Sequence, residues 1–342
     1  MKRLLWVCVL AGWLDLAAAA DHFNILVYHH VSTDSPASTS VTPQVFREHL
    51  QFFQDQQIHV MALAEALAAV TNGSPLPDKT IAITFDDGYR DIYDNALPLL
   101  EEFGYPFTIF VATDPIDKGY GDMLSWAQLR TLAQRGVTIA NHSTDHAYLV
   151  RQQAGGALGR AGLRANIEQA QQRLVDELGD AVPRWLAYPY GEFSTQLQDL
   201  LKDMGYLGFG QHSGGVWAGT HAQAIPRFAA AGIYANTATL ATKIGSHPMP
   251  IDEANLPNML TTDRSPSVTV DFTDNLVPTL PLNCFLDGDP LPASRPTASS
   301  FRLSSPAPLT LGRHRFNCTA RSASGAFYYW FSKPWLVSDG TQ

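Results

Sequence analysis

The sequence predicts an α/β domain on a parallel sheet, open or closed into a barrel, followed by a small all-β domain of the immunoglobulin-like sandwich kind. Three observations carry that expectation. From Phe23 to about Gly245, short β-rich apolar runs alternate with amphipathic helical patterns, and repeated strand–helix units build parallel sheets. Residues 256–342 then lack Glu, hold one lysine and carry ten of the 22 prolines, which disfavours helices there. A length of 342 residues suits two domains at roughly 100–200 residues each.

The elements follow in chain order. Lys2 and Arg3 precede an apolar run, Leu4 to Leu16, and then Ala17-Ala18-Ala19-Ala20. This is the pattern of a secretory signal peptide over residues 1–20, with cleavage after Ala20. The run is shorter than the roughly 20 residues that span a bilayer, and no other stretch is long and apolar enough to be transmembrane. The mature chain is therefore expected in the periplasm or outside the cell. Removing Cys8 with the leader leaves Cys284 and Cys318, an even pair in an oxidising compartment and so an expected disulfide. Such a bridge is worth roughly 3–4 kcal/mol in the chain-entropy picture.

Strands are expected in the apolar runs Asn24–Tyr28, Thr80–Phe85, Phe107–Ala112, Val137–Ala140, Trp185–Tyr188 and Tyr206–Gly210. Thr42 caps a helix with Pro43 in its first turn and Phe46, Leu50 and Phe53 on one face. Ser125 and Ser194 are further N-caps, and Leu163, Ile167, Ala170, Leu174 and Leu178 form a buried stripe. We place the first domain at residues 21–250 and the β-sandwich at 258–342, separated by the Pro-rich stretch His247–Pro257. Ser267–Phe272, His314–Ala320 and Ala326–Phe331 read as sandwich strands. In Phe327-Tyr328-Tyr329-Trp330-Phe331, alternation sends Phe327, Tyr329 and Phe331 to one face and Tyr328 and Trp330 to the other. Core packing is favoured there over a sugar-stacking platform.

A composition of 45% hydrophobic and 16% charged residues is that of a globular chain with a core. The formal charge of −9 argues against nucleic acid or anionic membranes as partners. That charge is uneven: residues 21–255 hold 14 basic and 25 acidic side chains, residues 256–342 hold 7 and 6. An acidic groove suits a polymer that becomes cationic during the reaction. Oligomeric state is left open.

Three short motifs follow expected strands, where sites of parallel α/β folds form. Thr84-Phe85-Asp86-Asp87-Gly88 places two carboxylates side by side. His142-Ser143-Thr144-Asp145-His146 spaces two imidazoles at i and i+4, one side of a helical turn. Together Asp87, His142 and His146 form an N,N,O set that leaves positions open for water and substrate, as catalytic zinc requires. Tyr188-Pro189-Tyr190-Gly191 is a turn that can offer backbone N–H groups to an oxyanion, with its rings as a groove wall.

These motifs, in this order, resemble the polysaccharide deacetylase family (carbohydrate esterase family 4, the NodB homology domain) over roughly residues 23–245. The opening Leu26-Val27-Tyr28-His29-His30-Val31 resembles the branch of biofilm poly-N-acetylglucosamine deacetylases. The resemblance implies a distorted (β/α)7 barrel and metal-dependent removal of N- or O-acetyl groups from a glycan. It makes Asp86 the general base, Asp87, His142 and His146 the metal ligands, and Tyr190 a backbone donor to the oxyanion, with Pro189 shaping the groove. Zn²⁺ suits these ligands, and Co²⁺ or Ni²⁺ can occupy them.

The chain also departs from the family pattern. Ala187 stands where an arginine is usual, and the fourth and fifth motifs are not recognisable. Arg227 in Ile225-Pro226-Arg227-Phe228 is expected to supply the missing guanidinium and orient Asp86. His212 is the first choice for the acid that protonates the leaving amine, and His247 the second. Tyr188, Trp126 and His29 are candidates for the substrate groove; Trp126 otherwise packs between helices and His29 is otherwise a core histidine. A non-catalytic glycan-binding protein on the same scaffold is the competing reading. A metal phosphodiesterase lacks any phosphate cradle here.

Overall fold

The computed structural model describes residues 19–275 and 277–340. Of the expected signal peptide, residues 1–18 lie outside the described residues, while Ala19 and Ala20 pair with Pro77 and Leu76. Among the described residues, no helix is long and apolar enough to cross a membrane.

The N-terminal part is built on β1 (His22–Tyr28), β2 (Thr80–Phe85), β3 (Phe107–Val111), β4 (Thr138–Asn141), β5 (Trp185–Ala187), β6 (Leu207–Phe209) and β7 (Phe228–Ala229). They run parallel in the order β6-β5-β4-β3-β2-β1, and the other edge of β1 carries β7 beside Leu26 and Val27 and the antiparallel Gly215–Trp217 beside its start. Every residue of β1, β2 and β3 is buried, which is why these strands read as unbroken apolar runs.

The sheet curls until its two ends meet. Ile225 N donates to Gly208 O (2.8 Å) and Gly210 N to Ile225 O (2.9 Å), tying β6 to the segment that enters β7. Alternate side chains divide accordingly. Ile25, Ala82, Phe110, Ala140, Ala187 and Phe209 share one core cluster, and the Phe110 and Phe209 rings meet at 5.1 Å across the curl. Leu26, Ile81, Ile83, Ile109 and Ile139 belong to another, packed on the outer helices.

Helix Pro43–Asp55 begins as expected, with Val45 N donating to Thr42 Oγ1, and buries Phe46, Leu50 and Phe53. Ser125 closes a capping box at the start of Trp126–Gln134, and Ser194 caps Thr195–Asp203. In Arg160–Leu178, Leu163, Ile167, Ala170 and Leu174 are buried.

The C-terminal part has two sheets. One pairs β9 (Leu282–Leu286), β11 (Gly312–Arg321) and β12 (Tyr328–Val337); the other pairs β8 (Ser267–Asp271) with β10 (Ser300–Ser304). Val270, Phe301, Leu303, Phe316 and Trp335 fill the space between them. Cys284 and Cys318 face each other across β9 and β11 and form a disulfide. In β12 the alternation separates two cores: Tyr329 and Phe331 join the sandwich interior, while Trp330 packs edge-on against Phe228 of the first part at 5.3 Å. His247–Pro248 and Leu260–Thr261 both run beside β12, so the connecting stretch is itself part of this sheet.

Lys333 is buried, its Nζ donating among the described residues to Pro334 O alone (3.2 Å) and lying over the Trp335 ring at 4.6 Å. Burial lowers its ammonium to about 7. The unfolded chain holds that proton up to about pH 10.4, so the cost is absent above that pH, grows as pH falls, and is complete below 7. Lys333→Met is therefore expected to stabilise the protein by about 1–3 kcal/mol at pH 6 and by little at pH 10. Urea titrations at the two pH values check this, and an equal effect at both would contradict it.

Candidate active site

The strand ends bring the motifs together. Asp86 N still donates to Tyr28 O (3.0 Å), continuing the β1–β2 ladder. Asp87 then turns to φ 72°, a left-handed conformation that favours short polar residues, and the two carboxylates diverge.

Asp86 is fully buried beside a fully buried arginine. Arg227 donates from Nη1 to Oδ1 and from Nη2 to Oδ2, both at 2.7 Å. Its Nε donates to Gly210 O (2.8 Å) and Nη1 also reaches Thr84 Oγ1 (3.3 Å). Burial alone would raise the Asp86 carboxyl, but Arg227, with His142 nearby, brings it below the ordinary carboxylate value. Gln211 Nε2 donates to Asp86 Oδ2 (3.3 Å) and lies 3.5 Å from His29 Nε2. His29 thus stands among Asp86, Asp87, Arg227 and His142.

Asp87 faces the two histidines. Its Oδ1 lies 3.1 Å from Nε2 of His142 and 3.1 Å from Nε2 of His146. Burial works against its charge, but these hydrogen bonds hold the carboxyl well below its ordinary value. Likewise burial would lower His142, yet the Asp87 bond and both carboxylates lift it above the usual imidazole value. His142 Nδ1 bonds Ala187 O at 2.8 Å. A carbonyl only accepts, so Nδ1 carries a proton, which leaves Nε2, the atom facing Asp87, as the nitrogen that can ligate a cation once its own proton is given up.

The histidine pair does not sit on a helical turn, contrary to the i,i+4 expectation. Ser143 and His146 have φ 71° and 54°, both left-handed. Ser143 N donates to Asn141 Oδ1 (2.7 Å) and His146 N to Ser143 Oγ (3.1 Å), so side-chain bonds shape a loop that brings the rings together. Their centroids are 4.8 Å apart. The ligand atoms of Asp87, His142 and His146 all lie within 4.8 Å of one another. With one tautomer fixed, this donor set fits a divalent cation.

Tyr190 lies beside this cluster at φ 60°, ψ 6°, and its ring meets His146 edge-on at 4.5 Å. Gly191 follows at φ 69°, where an added Cβ would come within 2.7 Å of Gln211 Cβ. Only glycine permits the turn to press this closely on the residue that touches Asp86.

Several candidates are placed elsewhere. Tyr188 is a core residue, fully buried with its hydroxyl donating to Gln223 O (2.7 Å). Pro189 is buried in the turn itself. Trp126 is held in the helical layer, where Nε1 donates to Asp117 (2.7 Å) and Arg173 covers the ring. His247 stacks on Phe327 at 3.6 Å and meets His22 at a tilt of 45° and 4.1 Å. His22 begins β1, so His247 is at the opposite end of the strands from Asp86. His212 packs against Phe193, and burial with the Lys333, Arg315 and Arg227 cations lowers it to about 3. Gln211 and His212 lie in the bend that follows β6, where Gln211 reaches Asp86 and His212 packs on Phe193 instead.

Sequence reading missed Gln211, Tyr148, Tyr89 and Arg313. Gln211 lies in a bend beyond its strand, where no local periodicity fixes the direction of a side chain. Tyr148 stacks on Tyr190 at 3.7 Å and 7°, and Tyr89 hydrogen-bonds Asp87. Arg313 Nη1, from β11, donates to Tyr190 O (2.8 Å), and nothing local in sequence announces a partner 123 residues away. With Arg315 it puts two cations beside the site, so the acidic charge of residues 21–255 does not describe this wall of the cleft.

Residues 73–209 match the family of polysaccharide deacetylases. The chain is 28% identical over 200 residues to YxkH of Bacillus subtilis (strain 168), spanning 57% of this chain and 66% of that protein. It is 26% identical over 242 residues to the poly-beta-1,6-N-acetyl-D-glucosamine N-deacetylase of Escherichia coli (strain K12), spanning 60% of this chain and 36% of that one. The chain thus matches just under two thirds of the first relative and about a third of the second. The Streptococcus pyogenes deacetylase PplD shares the fold, with a TM-score of 0.59 and 22% identity over 65% of this chain and 98% of that one.

Proposed function

We propose, from the premise that this chain carries a polysaccharide deacetylase domain, that it hydrolyses N-acetyl groups on an N-acetylglucosamine polymer outside the cytoplasm. Residues 21–250 are read as the catalytic domain and 258–342 as an appended sandwich, with O-acetyl groups as a further substrate. The observation that carries this reading is the meeting of Asp87, His142 and His146 beside an Asp86 clamped by Arg227.

Asp87, His142 and His146 would hold a divalent cation, Zn²⁺ by preference with Co²⁺ or Ni²⁺ as substitutes. Such an ion supplies Lewis-acid polarisation of the acetyl carbonyl and a more acidic water. Asp86 is ionised at neutral pH and takes the proton from the attacking water. The Tyr190 backbone N–H faces the developing oxyanion, and the Tyr190–Tyr148 stack walls the groove. The leaving amine needs a proton, and His29, close to both carboxylates, is better placed to deliver it than His212 or His247.

Acetate release from N-acetylglucosamine oligomers, followed with metal content, tests this reading. Chelation and Asp87→Ala are each expected to remove bound metal and at least about 10³-fold of activity together. Full activity in metal-free Asp87→Ala protein would refute it.

A further inference from the structure

Arg313 and Arg315 are alternate residues of β11 and share one face of it. Arg313 is engaged: besides Tyr190 O it lies 3.8 Å from Glu192 and over the Tyr190 ring at 5.9 Å. Arg315 is not. Its Nε is buried with no hydrogen-bond partner, and it makes no ion pair with a carboxylate of the described residues. Asp287 is nearby but already occupied, its Oδ1 accepting from Arg315 N (2.8 Å) and its Oδ2 from His314 Nδ1 (2.6 Å). The other charged group acting most strongly on this corner, as felt by His212, is the buried Lys333, which adds positive charge. The carboxylates of Glu192 and Asp287 at this corner are taken by other partners, so the Arg315 guanidinium is left without an anion of its own, an arrangement that costs stability unless a ligand completes it.

Arg315 lines a cavity of about 240 Å³ whose other walls include Tyr190, Gln211, Arg313, Pro334 and the already paired Asp287. Tyr190 and Gln211 also touch His146 and Asp86, so the cavity shares two walls with the candidate metal cluster. We propose that this cavity is a carboxylate-binding subsite of the cleft, with Arg315 as its ligand. It rests on the deacetylase reading above. One free planar guanidinium matches one carboxylate, which it grips through two parallel N–H donors. The carboxylate has two chemical sources: an acidic substituent on a sugar next to the one being deacetylated, or the acetate that the reaction releases.

The test uses the full metal-loaded chain. KM is measured for chitotetraose and for an oligomer of equal length whose alternate sugars carry a 3-O-lactyl carboxylate, in wild type, Arg315→Gln and Arg315→Lys. Inhibition by sodium acetate is measured alongside. KM is expected to be about tenfold lower for the acidic oligomer in wild type. That ratio should fall close to one in Arg315→Gln and recover in part in Arg315→Lys, which keeps the charge. Equal KM values with acetate inhibition that Arg315→Gln abolishes would assign the site to the product. Equal KM values without any effect of Arg315 on acetate inhibition would overturn the subsite. If neither oligomer is deacetylated, the functional reading fails by itself. The subsite is then decided by whether acetate raises the melting temperature of wild type more than that of Arg315→Gln and Arg315→Lys protein.

Discussion

Asp86→Asn is expected to lower kcat by about 10²–10⁴-fold while leaving metal content unchanged. The side chain keeps its shape but can no longer accept a proton from water. None of the ligand atoms of the Asp87, His142 and His146 cluster belongs to it, so the cation site should survive. Steady-state kinetics and metal analysis on the same preparation separate the two properties. Retained turnover would remove Asp86 from the mechanism; lost metal would make it part of the ligand set. Some stability should also be lost, because the amide NH₂ of asparagine would face an Arg227 donor now 2.7 Å from an oxygen.

Arg227→Met is expected to carry the largest stability cost in the molecule, about 3–5 kcal/mol at pH 7. The substitution leaves the Asp86 charge buried and unpaired, and frees Gly210 O and Thr84 Oγ1 of a donor. The pH dependence has a definite sign. In wild type the folded Asp86 pKa is depressed, so its contribution is present above the unfolded value near 4 and is lost as pH falls through the lower folded value. Without Arg227, burial raises the folded pKa above the unfolded one, and the variant gains relative stability as pH falls. The gap between the two proteins should therefore narrow from pH 7 to pH 4 in urea titrations. The double variant Asp86→Asn/Arg227→Met should cost less than the two single costs added, since the pair is in direct contact. A constant gap and additive costs would show that the guanidinium acts by packing alone.

Much of this site was legible in the chain. Asp86, Asp87, His142 and His146 stand just after apolar runs, and a strand buried on both faces must read as such a run. Arg227 was also readable through the family resemblance, which implies an arginine orienting Asp86 that Ala187 does not supply. What failed were the inferences that needed side-chain direction. His142 and His146 meet through a loop with two left-handed residues, not through helical spacing. Tyr188, two residues from Tyr190, points into the core. His212 stands ahead of His247 on the chemistry an imidazole offers, yet it packs on Phe193 while Gln211, one residue away, reaches Asp86.

By itself the sequence determined the α/β alternation, the capped helices, the cysteine pair and the identity of the carboxylate and imidazole donors. Each follows from local patterns of burial, capping and composition within a few residues. Only the tertiary structure decided which tautomer His142 presents, which neighbour of Gly210 faces Asp86, and that β11 supplies Arg313 and Arg315 to the cleft. Those depend on contacts between residues far apart in the chain, where a turn of one residue reverses a side chain and no local pattern records its partner.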